Sequence, residues 1–264
     1  MKEKTVEKLF NLNGKTCLIT GASGYLGGAM ARALAEAGGR VVVTSRELDR
    51  AEEIAGRLPD PNNVNHLGAV LDHMDTDELP VRFQTISKQA GCINVLVNNG
   101  HEHCPNDWTN ISGEQFTRML ANATGYFLLS RLVHQQAVDS EKSASIIMLG
   151  SMYGQVASYA DAYKGLVPAS SVAYHTLKGG ILQLTRHLAA YWADDSVRVN
   201  SLSPGPFPSE SANSDMVERL KNYSPMHKMG CPEELKGAVI FLASEASSYM
   251  TGQNLVIDGG WTAV

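Results

Sequence analysis

Short apolar runs alternate along the chain with longer segments in which apolar residues recur every three or four positions. The short runs, bounded by Gly, Asn or Ser, predict seven β-strands at residues 16–20, 40–44, 65–71, 95–98, 145–149, 197–202 and 254–257. The longer segments predict six helices at residues 25–37, 48–58, 79–90, 113–137, 173–193 and 232–243. This alternation predicts an α/β fold, a doubly wound and mainly parallel sheet with helices on both faces.

Two segments interrupt the alternation. One, at residues 153–173, follows the fifth predicted strand, and the other, at 203–230, is rich in Pro, Ser and Asn. Both follow the carboxyl ends of strands, where ligands bind in open α/β sheets. No repeat or linker-like shift in composition divides the chain. We therefore expect one domain over residues 1–264, with substrate loops at 153–173 and 206–230.

Composition narrows the class of protein. The 264 residues are 44% hydrophobic and 19% charged, which excludes a disordered chain. A net charge of −5 without a run of Lys or Arg argues against a nucleic-acid surface. No stretch approaches the ~18 apolar residues of a membrane span, and the charged N-terminus does not resemble a signal peptide. With four scattered cysteines and no C-x-x-C, a cytoplasmic protein is expected.

A glycine-rich turn follows the first strand and opens a helix, in Thr20-Gly21-Ala22-Ser23-Gly24-Tyr25-Leu26-Gly27. Glycines there let the backbone approach a pyrophosphate, whose charge faces a helix N-terminus. The position within a βαβ unit favours dinucleotide binding over a plain tight turn. The candidate cofactor contacts in this turn are Gly21, Ser23, Tyr25 and Leu26.

The second strand ends in Ser45-Arg46, at the position where an acidic residue would select NAD over NADP. An Asp at this point bonds the free ribose 2′-hydroxyl, whereas Arg46 can pair with a 2′-phosphate. NADP(H) is therefore the expected cofactor. NAD(H) stays possible, because Glu47 follows directly and the glycine turn contains no basic residue.

Tyr174 and Lys178 lie four positions apart, so they share one face of the predicted helix at 173–193. A free phenol has a pKa near ~10, and a neighbouring ammonium group favours the phenolate. This spacing alone recurs by chance, so its meaning depends on the accompanying motifs.

Those motifs occur in order along the chain. They are the Thr20–Gly27 turn, Asp72, Asn98-Asn99-Gly100, Asn122-Ala123-Thr124-Gly125, Ser151, Tyr174 with Lys178, Asn200, Pro204-Gly205 and Asp258-Gly259-Gly260. With them the sequence resembles the short-chain dehydrogenase/reductase family, from Leu12 to the C-terminus. The resemblance implies a seven-stranded Rossmann-like single domain that binds NAD(P) and interconverts a carbonyl group and an alcohol.

The resemblance also implies roles for individual residues. Tyr174 would exchange the proton with the substrate oxygen, Lys178 would lower the pKa of Tyr174 and bind the nicotinamide ribose, and Ser151 would hydrogen-bond the reacting oxygen. Asn122 would distort its helix and hold a water that links Lys178 to solvent. The further cofactor contacts implied are Asp72, His73, Asn98, Gly100, Pro204, Gly205, Phe207 and Ser209.

Three departures from the family pattern bear on function. The Gly21/Gly24/Gly27 spacing resembles the extended branch, which includes sugar epimerases and dehydratases, although the length favours the compact branch. The usual N-N-A-G is replaced by Asn98-Asn99-Gly100-His101. Ser151 and Tyr174 are separated by 174 − 151 = 23 positions, more than is common, which indicates an insertion at the mouth of the site.

The insertion and the loop after the fourth strand are rich in polar residues, which are Tyr153, Gln155, Tyr159, Asp161, Tyr163, Lys164, His101, Glu102, His103 and Asn106. If they line the cleft, the substrate is a sugar, sugar acid or polyol; otherwise they face solvent. His101-Glu102-His103-Cys104 matches no zinc-site spacing, so no metal is predicted.

The sequence thus predicts an NADP(H)-preferring oxidoreductase for a ketone and secondary alcohol on a carbohydrate-like molecule. The alternatives are a 3-oxoacyl-thioester reductase, a sugar epimerase or dehydratase with retained NAD, and an inactive cofactor-sensing protein. The resemblance further implies a homotetramer or homodimer, with the helices of Asn122 and Tyr174 at one interface and the C-terminal segment at another.

Overall fold

A computed structural model describes residues 3–264 as one sheet covered by helices on both faces. The strands are β1 Thr16–Thr20, β2 Arg40–Ser45, β3 Leu67–Val70, β4 Val95–Asn98, β5 Ala144–Leu149, β6 Val197–Pro204 and β7 Asn254–Ile257. The helices are α1 Val6–Phe10, α2 Tyr25–Glu36, α3 Leu48–Gly56, α4 Leu79–Ala90, α5 Gly113–Asp139, α6 Ala160–Tyr163, α7 Val172–Trp192, α8 Ser214–Tyr223 and α9 Lys236–Ala243.

The seven strands lie in the order β3-β2-β1-β4-β5-β6-β7, and all neighbouring pairs are parallel. The predicted doubly wound α/β fold is confirmed. The chain builds the sheet outward from β1 to β3 and then returns to place β4 on the other side of β1. The direction of winding therefore reverses between β1 and β4, and their carboxyl ends open a crevice at this point.

Strand side chains alternate between the two faces and divide the core into two layers. On one side, strand residues such as Leu18 and Leu96 pack against α4, α5 and α7. On the other, residues such as Ile19 and Val97 pack against α2, α3 and α9. Both faces are buried, which explains why the strands appear in the sequence as continuous apolar runs.

The predicted element ends differ by no more than two residues from those observed, except at the start of the last predicted helix. The third strand begins at Leu67, not at residue 65, because Asn65 has a left-handed φ of 55° that a strand does not adopt. The predicted helix at 232–243 is a 3₁₀ turn over Pro232–Leu235 followed by α9.

Three short helices were not predicted, namely α1, α6 and α8. Of these, α8 carries a sequence signal, since the Asn213 side chain accepts a hydrogen bond from the Met216 amide at 3.0 Å. An Asn at this position is a common helix start. A third apolar cluster, of Met152, Ala162, Leu220 and Trp261, holds α6 and α8 beside the C-terminus.

None of the helices in the described part of the chain combines the length and the apolar character that crossing a bilayer requires.

Candidate active site

The glycine turn is fixed to the loop after β4 by a set of hydrogen bonds at the crevice. The Thr20 hydroxyl accepts from the Gly100 amide at 2.8 Å and from the Asn99 amide at 3.0 Å. The Asn99 side-chain amide donates in return to the carbonyls of Thr20 at 2.9 Å and Gly21 at 3.0 Å. Asn99 thus positions the turn, a role that the sequence reasoning did not assign to it.

Two glycines of this turn are required by geometry. Gly21 has a left-handed φ of 68°, which favours glycine. A Cβ atom on Gly27 would lie 2.2 Å from the Gly21 carbonyl oxygen. The turn and the first helical turn of α2 can approach each other this closely only because Gly27 has no side chain.

The N-terminus of α2 is open toward the crevice. Its N-cap residue, Gly24, provides no side-chain hydrogen bond, and the first turn contains no acidic residue. The first amide N–H groups of a helix lack intrahelical partners and carry partial positive charge, so such an end suits a phosphate group. The geometry of this turn therefore fits the pyrophosphate of a dinucleotide.

A polar cleft of about 320 Å³, here called the arginine cleft, extends from the turn over the ends of β2 and β3. Seven of the residues predicted to contact the cofactor line it: Gly21, Ser23, Ser45, Arg46, Asp72, His73 and Gly100. Arg50 lines it as well and was not predicted. Arg50 lies on α3, which begins directly after the Ser45-Arg46 end of β2.

A second cleft, of about 280 Å³, is here called the lysine cleft. It contains three of the four predicted catalytic residues, Ser151, Tyr174 and Lys178, of which Tyr174 and Lys178 are also predicted cofactor contacts. Four further predicted cofactor contacts line it: Leu26, Pro204, Gly205 and Phe207. A Cβ on Gly205 would lie 2.5 Å from the Asp258 Cα, so the Pro204-Gly205 turn packs directly against the Asp258-Gly259-Gly260 motif. The two clefts together suit the two ends of NAD(P).

Three predicted cofactor contacts lie elsewhere. The Asn98 side chain is buried in the core, where its amide donates to the Ser130 hydroxyl at 2.9 Å. Tyr25 is 45% exposed at the start of α2 and lines neither cleft. Ser209 is exposed, and its hydroxyl lies 3.0 Å from that of Ser211.

Ser151 and Lys178 are held by backbone groups at the end of β5. The Ser151 hydroxyl accepts from the Tyr153 amide at 3.1 Å, which caps a 3₁₀ turn over Met152–Gly154. The Lys178 ammonium nitrogen donates to the Leu149 carbonyl at 2.7 Å and lies 5.5 Å from the centre of the Tyr174 ring. The spacing of Tyr174 and Lys178 on one helix face therefore brings them together, as predicted.

Burial dominates the electrostatics of this pair. It lowers the pKa of Lys178 to about 7, since the ammonium group is taken out of water. Burial also raises the pKa of Tyr174, and a hydrogen bond with the Ser151 side chain opposes that rise. Desolvation of the phenol is thus the largest influence on the Tyr174 pKa and sets its upward direction in this structure.

Asn122, the fourth predicted catalytic residue, connects α5 to the loop after β4. Its Oδ1 accepts from the Glu102 amide at 2.8 Å and lies 2.9 Å from Nε2 of His73. Its Nδ2 donates to the carbonyls of Met119 at 2.9 Å and Glu102 at 3.2 Å. The helix α5 is continuous through Asn122.

Beyond the lysine cleft lies a cavity of about 730 Å³, here called the large cavity. Four of the ten polar residues expected there line it, namely His101, His103, Tyr153 and Tyr163. Much of the remaining wall is apolar, with Val167, Pro168, Ala169, Phe207, Pro208, Met216 and Leu220. The insertion at 153–173 therefore does line the cavity, but through fewer polar side chains than expected; the Asp161 carboxylate, for example, bonds Tyr223 of α8 instead.

The insertion and α8 are tied to each other over the cavity. The Tyr223 hydroxyl donates to the Asp161 carboxylate, and Arg219 donates to the carbonyls of Asp161 at 3.0 Å and Lys164 at 2.8 Å. The Tyr159 and Tyr223 rings stack with centroids 4.1 Å apart. These two segments, distant in sequence, form a shared cover over the site.

The segment His101-Glu102-His103-Cys104 does not gather metal ligands. Within residues 3–264, no group of three or more His, Cys, Asp or Glu side chains is arranged to hold a metal ion. Glu102 instead accepts two hydrogen bonds from Arg118, at 2.6 and 2.7 Å.

Comparison with known proteins agrees with this geometry. Residues 21–262 match the protein-family model described as Enoyl-(Acyl carrier protein) reductase. D-arabinitol 2-dehydrogenase [ribulose-forming] from Scheffersomyces stipitis is 31% identical over 274 residues, covering 96% of this chain and 95% of that protein. The chain belongs to the short-chain dehydrogenase/reductase family.

Two further members of this family are similar over their whole lengths. Sorbose reductase from Schizosaccharomyces pombe is 31% identical, and the alignment covers 96% of this chain and 98% of that protein. A crystal structure of a gluconate 5-dehydrogenase from Burkholderia cenocepacia J2315, in complex with NADP and tartrate, is 27% identical with a TM-score of 0.88. The superposition covers 98% of this chain and 100% of the gluconate 5-dehydrogenase chain. As a short-chain dehydrogenase/reductase, the protein is an NAD(P)-dependent oxidoreductase that acts on CH–OH groups.

Proposed function

We propose that this protein is an NADP(H)-preferring dehydrogenase/reductase that interconverts a ketone and a secondary alcohol on a sugar, sugar acid or polyol. The observation that carries the proposal is the meeting of Ser151, Tyr174 and Lys178 in one cleft that opens into the large cavity. The substrate class is supported by relatives named for arabinitol, sorbose and gluconate. Each of these compounds carries hydroxyl groups next to the carbon that is oxidised or reduced.

In the proposed mechanism the nicotinamide cofactor supplies or accepts the hydride. The chain's own residues handle the oxygen, on which negative charge develops as a carbonyl is reduced. Tyr174 donates its phenolic proton to that oxygen and Ser151 donates a hydrogen bond to it. In the oxidation direction, Tyr174 takes the proton back.

Lys178 positions the site and assists proton exchange in this proposal. With a pKa of about 7, its side chain exists in both protonation states near neutral pH. Its nitrogen lies near the Tyr174 ring and is fixed by the Leu149 carbonyl. Asn122 holds the Glu102 backbone and His73 beside this site, and the water that it would bind remains part of the proposal.

Preference for NADP(H) is supported by two arginines. Arg46 and Arg50 both line the arginine cleft near Ser23 and Ser45. Glu102 also lines it, but its carboxylate is already paired with Arg118, so its charge is largely compensated. A cleft with two available guanidinium groups favours the additional 2′-phosphate of NADP(H).

The proposed chemistry is tested by Tyr174→Phe with Tyr191→Phe as the matched control. Both tyrosines lie on α7, but Tyr191 is 73% exposed and far along the helix from the cleft. Turnover of a ketose panel with NADPH should be abolished only in Tyr174→Phe, while its NADPH affinity, measured by cofactor fluorescence, stays near that of the unmodified protein. Activity retained in Tyr174→Phe would refute the mechanism.

A second candidate is reduction of a 3-oxoacyl thioester. It is favoured by the apolar wall of the large cavity, which would contact an acyl chain. A substrate panel separates the candidates, because an acyl-thioester reductase would consume acetoacetyl thioesters and leave ketoses unchanged. An epimerase or dehydratase with retained NAD would instead turn over a sugar without net redox change.

The wider setting is also part of the proposal. The whole chain would work as one domain, with substrate recognition by the loops at 153–173 and 206–230. A homotetramer or homodimer is supported by exposed apolar side chains on α5 and α7, including Val138, Val172 and Tyr191. A cytoplasmic location is supported by four free thiols. Light scattering on the purified protein would test the oligomeric state, and cell fractionation would test the location.

A further inference from the structure

His101 occupies a junction between three spaces in the site. It lines the arginine cleft, the lysine cleft and the large cavity. Its ring meets the Tyr174 ring edge-on, with centroids 5.5 Å apart and an interplanar angle of 77°. His101 therefore lies beside the phenol that would act on the reacting oxygen.

The Nε2 atom of His101 is buried and has no hydrogen-bond partner within residues 3–264. Burial, with lesser contributions from Lys178, His103 and His73, lowers the pKa of His101 to about 3, so the imidazole is neutral at physiological pH. A buried polar nitrogen without a partner costs free energy, which a ligand group would recover by bonding to it.

Ser171 presents a second orphaned polar group to the same cavity. It is the N-cap residue of α7, yet its hydroxyl makes no capping hydrogen bond. The residue is 7% exposed, and its Oγ lacks a partner in the described structure. Because Ser171 lies three positions before Tyr174, the two residues belong to the same turn of the chain.

The other polar side chains that line the cavity mostly have partners. The hydroxyls of Tyr153 and Tyr163 bond to each other at 2.6 Å. The Ser170 hydroxyl lies 3.1 Å from Nε2 of His175. His101 and Ser171 are therefore distinguished from their neighbours as groups free to bond a ligand.

We propose that His101 and Ser171 are specificity residues that hydrogen-bond the hydroxyl groups flanking the reacting carbon of a polyhydroxylated substrate. The inference rests on the proposed function, since it assigns the recognition of that substrate class. It also explains how a largely apolar cavity accepts a sugar: two groups beside Tyr174 bind the hydroxyls, and the apolar wall contacts the carbon chain. A site built to bond hydroxyls rejects analogues that lack them, because its own polar groups then stay unpaired.

The test removes hydroxyls from the substrate and hydrogen-bonding groups from the protein separately. The substrates are dihydroxyacetone, hydroxyacetone and acetone, which carry two, one and no hydroxyls beside the carbonyl. The variants are His101→Phe and Ser171→Ala. The matched controls are His187→Phe and Ser140→Ala, which alter exposed residues that line none of the three spaces.

We expect each test variant to lower kcat/KM for dihydroxyacetone by about 10- to 100-fold. Its kcat/KM for acetone should stay within about twofold of the unmodified protein, as should its NADPH dissociation constant. The control variants should leave all three substrates nearly unaffected. Equal losses on acetone and dihydroxyacetone would overturn the proposal by showing damage to Tyr174, and a weakened NADPH affinity would overturn it by assigning the residues to the cofactor.

Failure of the proposed function gives a different result. In that case the unmodified protein would reduce neither dihydroxyacetone nor a ketose such as L-sorbose, while reducing an acetoacetyl thioester. If it reduces hydroxyketones and the test variants do so equally well, the function stands and the roles of His101 and Ser171 are refuted.

Discussion

Replacing Gly27 with Ala should damage the cofactor site through a single methyl group. The added Cβ would lie 2.2 Å from the Gly21 carbonyl oxygen and 2.5 Å from Nδ2 of Asn99. Ordinary van der Waals contact begins at 3.4 Å, so the turn and helix α2 must separate by about 3.4 − 2.2 = 1.2 Å. The carbonyl oxygen is backbone, and it cannot withdraw by a simple rotamer change.

A separation of this size changes both stability and binding. Overpacking costs about 1–3 kcal/mol, offset by about 0.5–1 kcal/mol from replacing a helical glycine with alanine. The free energy of unfolding should therefore fall by up to about 2.5 kcal/mol. The amide groups that face the pyrophosphate would move by about 1 Å, so we expect NADPH affinity to fall by at least about tenfold, the equivalent of one charge-assisted hydrogen bond.

The assays are NADPH titration by fluorescence and unfolding in urea. Gly237→Ala is the matched control, because Gly237 lies in α9 and a Cβ added to it would have no neighbouring atom within 4 Å. It should bind NADPH normally and gain about 0.4–1 kcal/mol of stability. NADPH affinity in Gly27→Ala within twofold of the unmodified protein would refute the reasoning about close approach at this turn.

The remaining predictions concern the arginines, the buried lysine and the cover of the site. Arg46→Ala and Arg50→Ala should each weaken NADPH binding by about tenfold and leave NADH binding unchanged, as checked by titration with each cofactor. An equal loss of NADPH and NADH affinity would contradict a 2′-phosphate site. Lys178→Met should raise the free energy of unfolding by up to about 5 kcal/mol at and below pH 7, because burial lowers the pKa of Lys178 from 10.5 to about 7. Between pH 7 and pH 10.5 the unfolded chain binds one more proton at Lys178 than the folded chain does, so the stability of the unmodified protein rises with pH over this range. The stability gained by Lys178→Met should therefore vanish near pH 10.5, as checked by urea unfolding at several pH values. A gain that does not depend on pH would exclude this cause. Tyr223→Phe removes the hydroxyl that bonds Asp161, so it should raise KM for the carbonyl substrate several-fold with little change in the free energy of unfolding. Tyr249→Phe, at a fully exposed tyrosine, is the control. An unchanged KM in Tyr223→Phe would show that this contact does not hold the cover.

The order of elements and the position of the catalytic cluster could be predicted from the sequence for a physical reason. Strands buried on both faces require continuous apolar runs, and the helices between them require an apolar stripe, so the α/β alternation appears directly in the residue pattern. Tyr174 and Lys178 share a helix face by local geometry alone. Gly21 and Gly27 are likewise local, because a tight strand-to-helix turn excludes side chains at those positions.

Contacts between distant segments were decided only by the tertiary structure. Asp161 faces Tyr223 and Arg219 across the cover, so it does not line the cavity, and no periodicity indicates such a pairing. The side chain of Asn98, whose backbone is expected to line the adenosine, bonds Ser130 in the core, and the side chain of the neighbouring Asn99 holds the turn. The net direction of the Tyr174 pKa also depends on burial by the whole fold. Sequence patterns determine which face of an element is apolar, whereas the partner of a polar side chain is set by how the loops pack around the sheet.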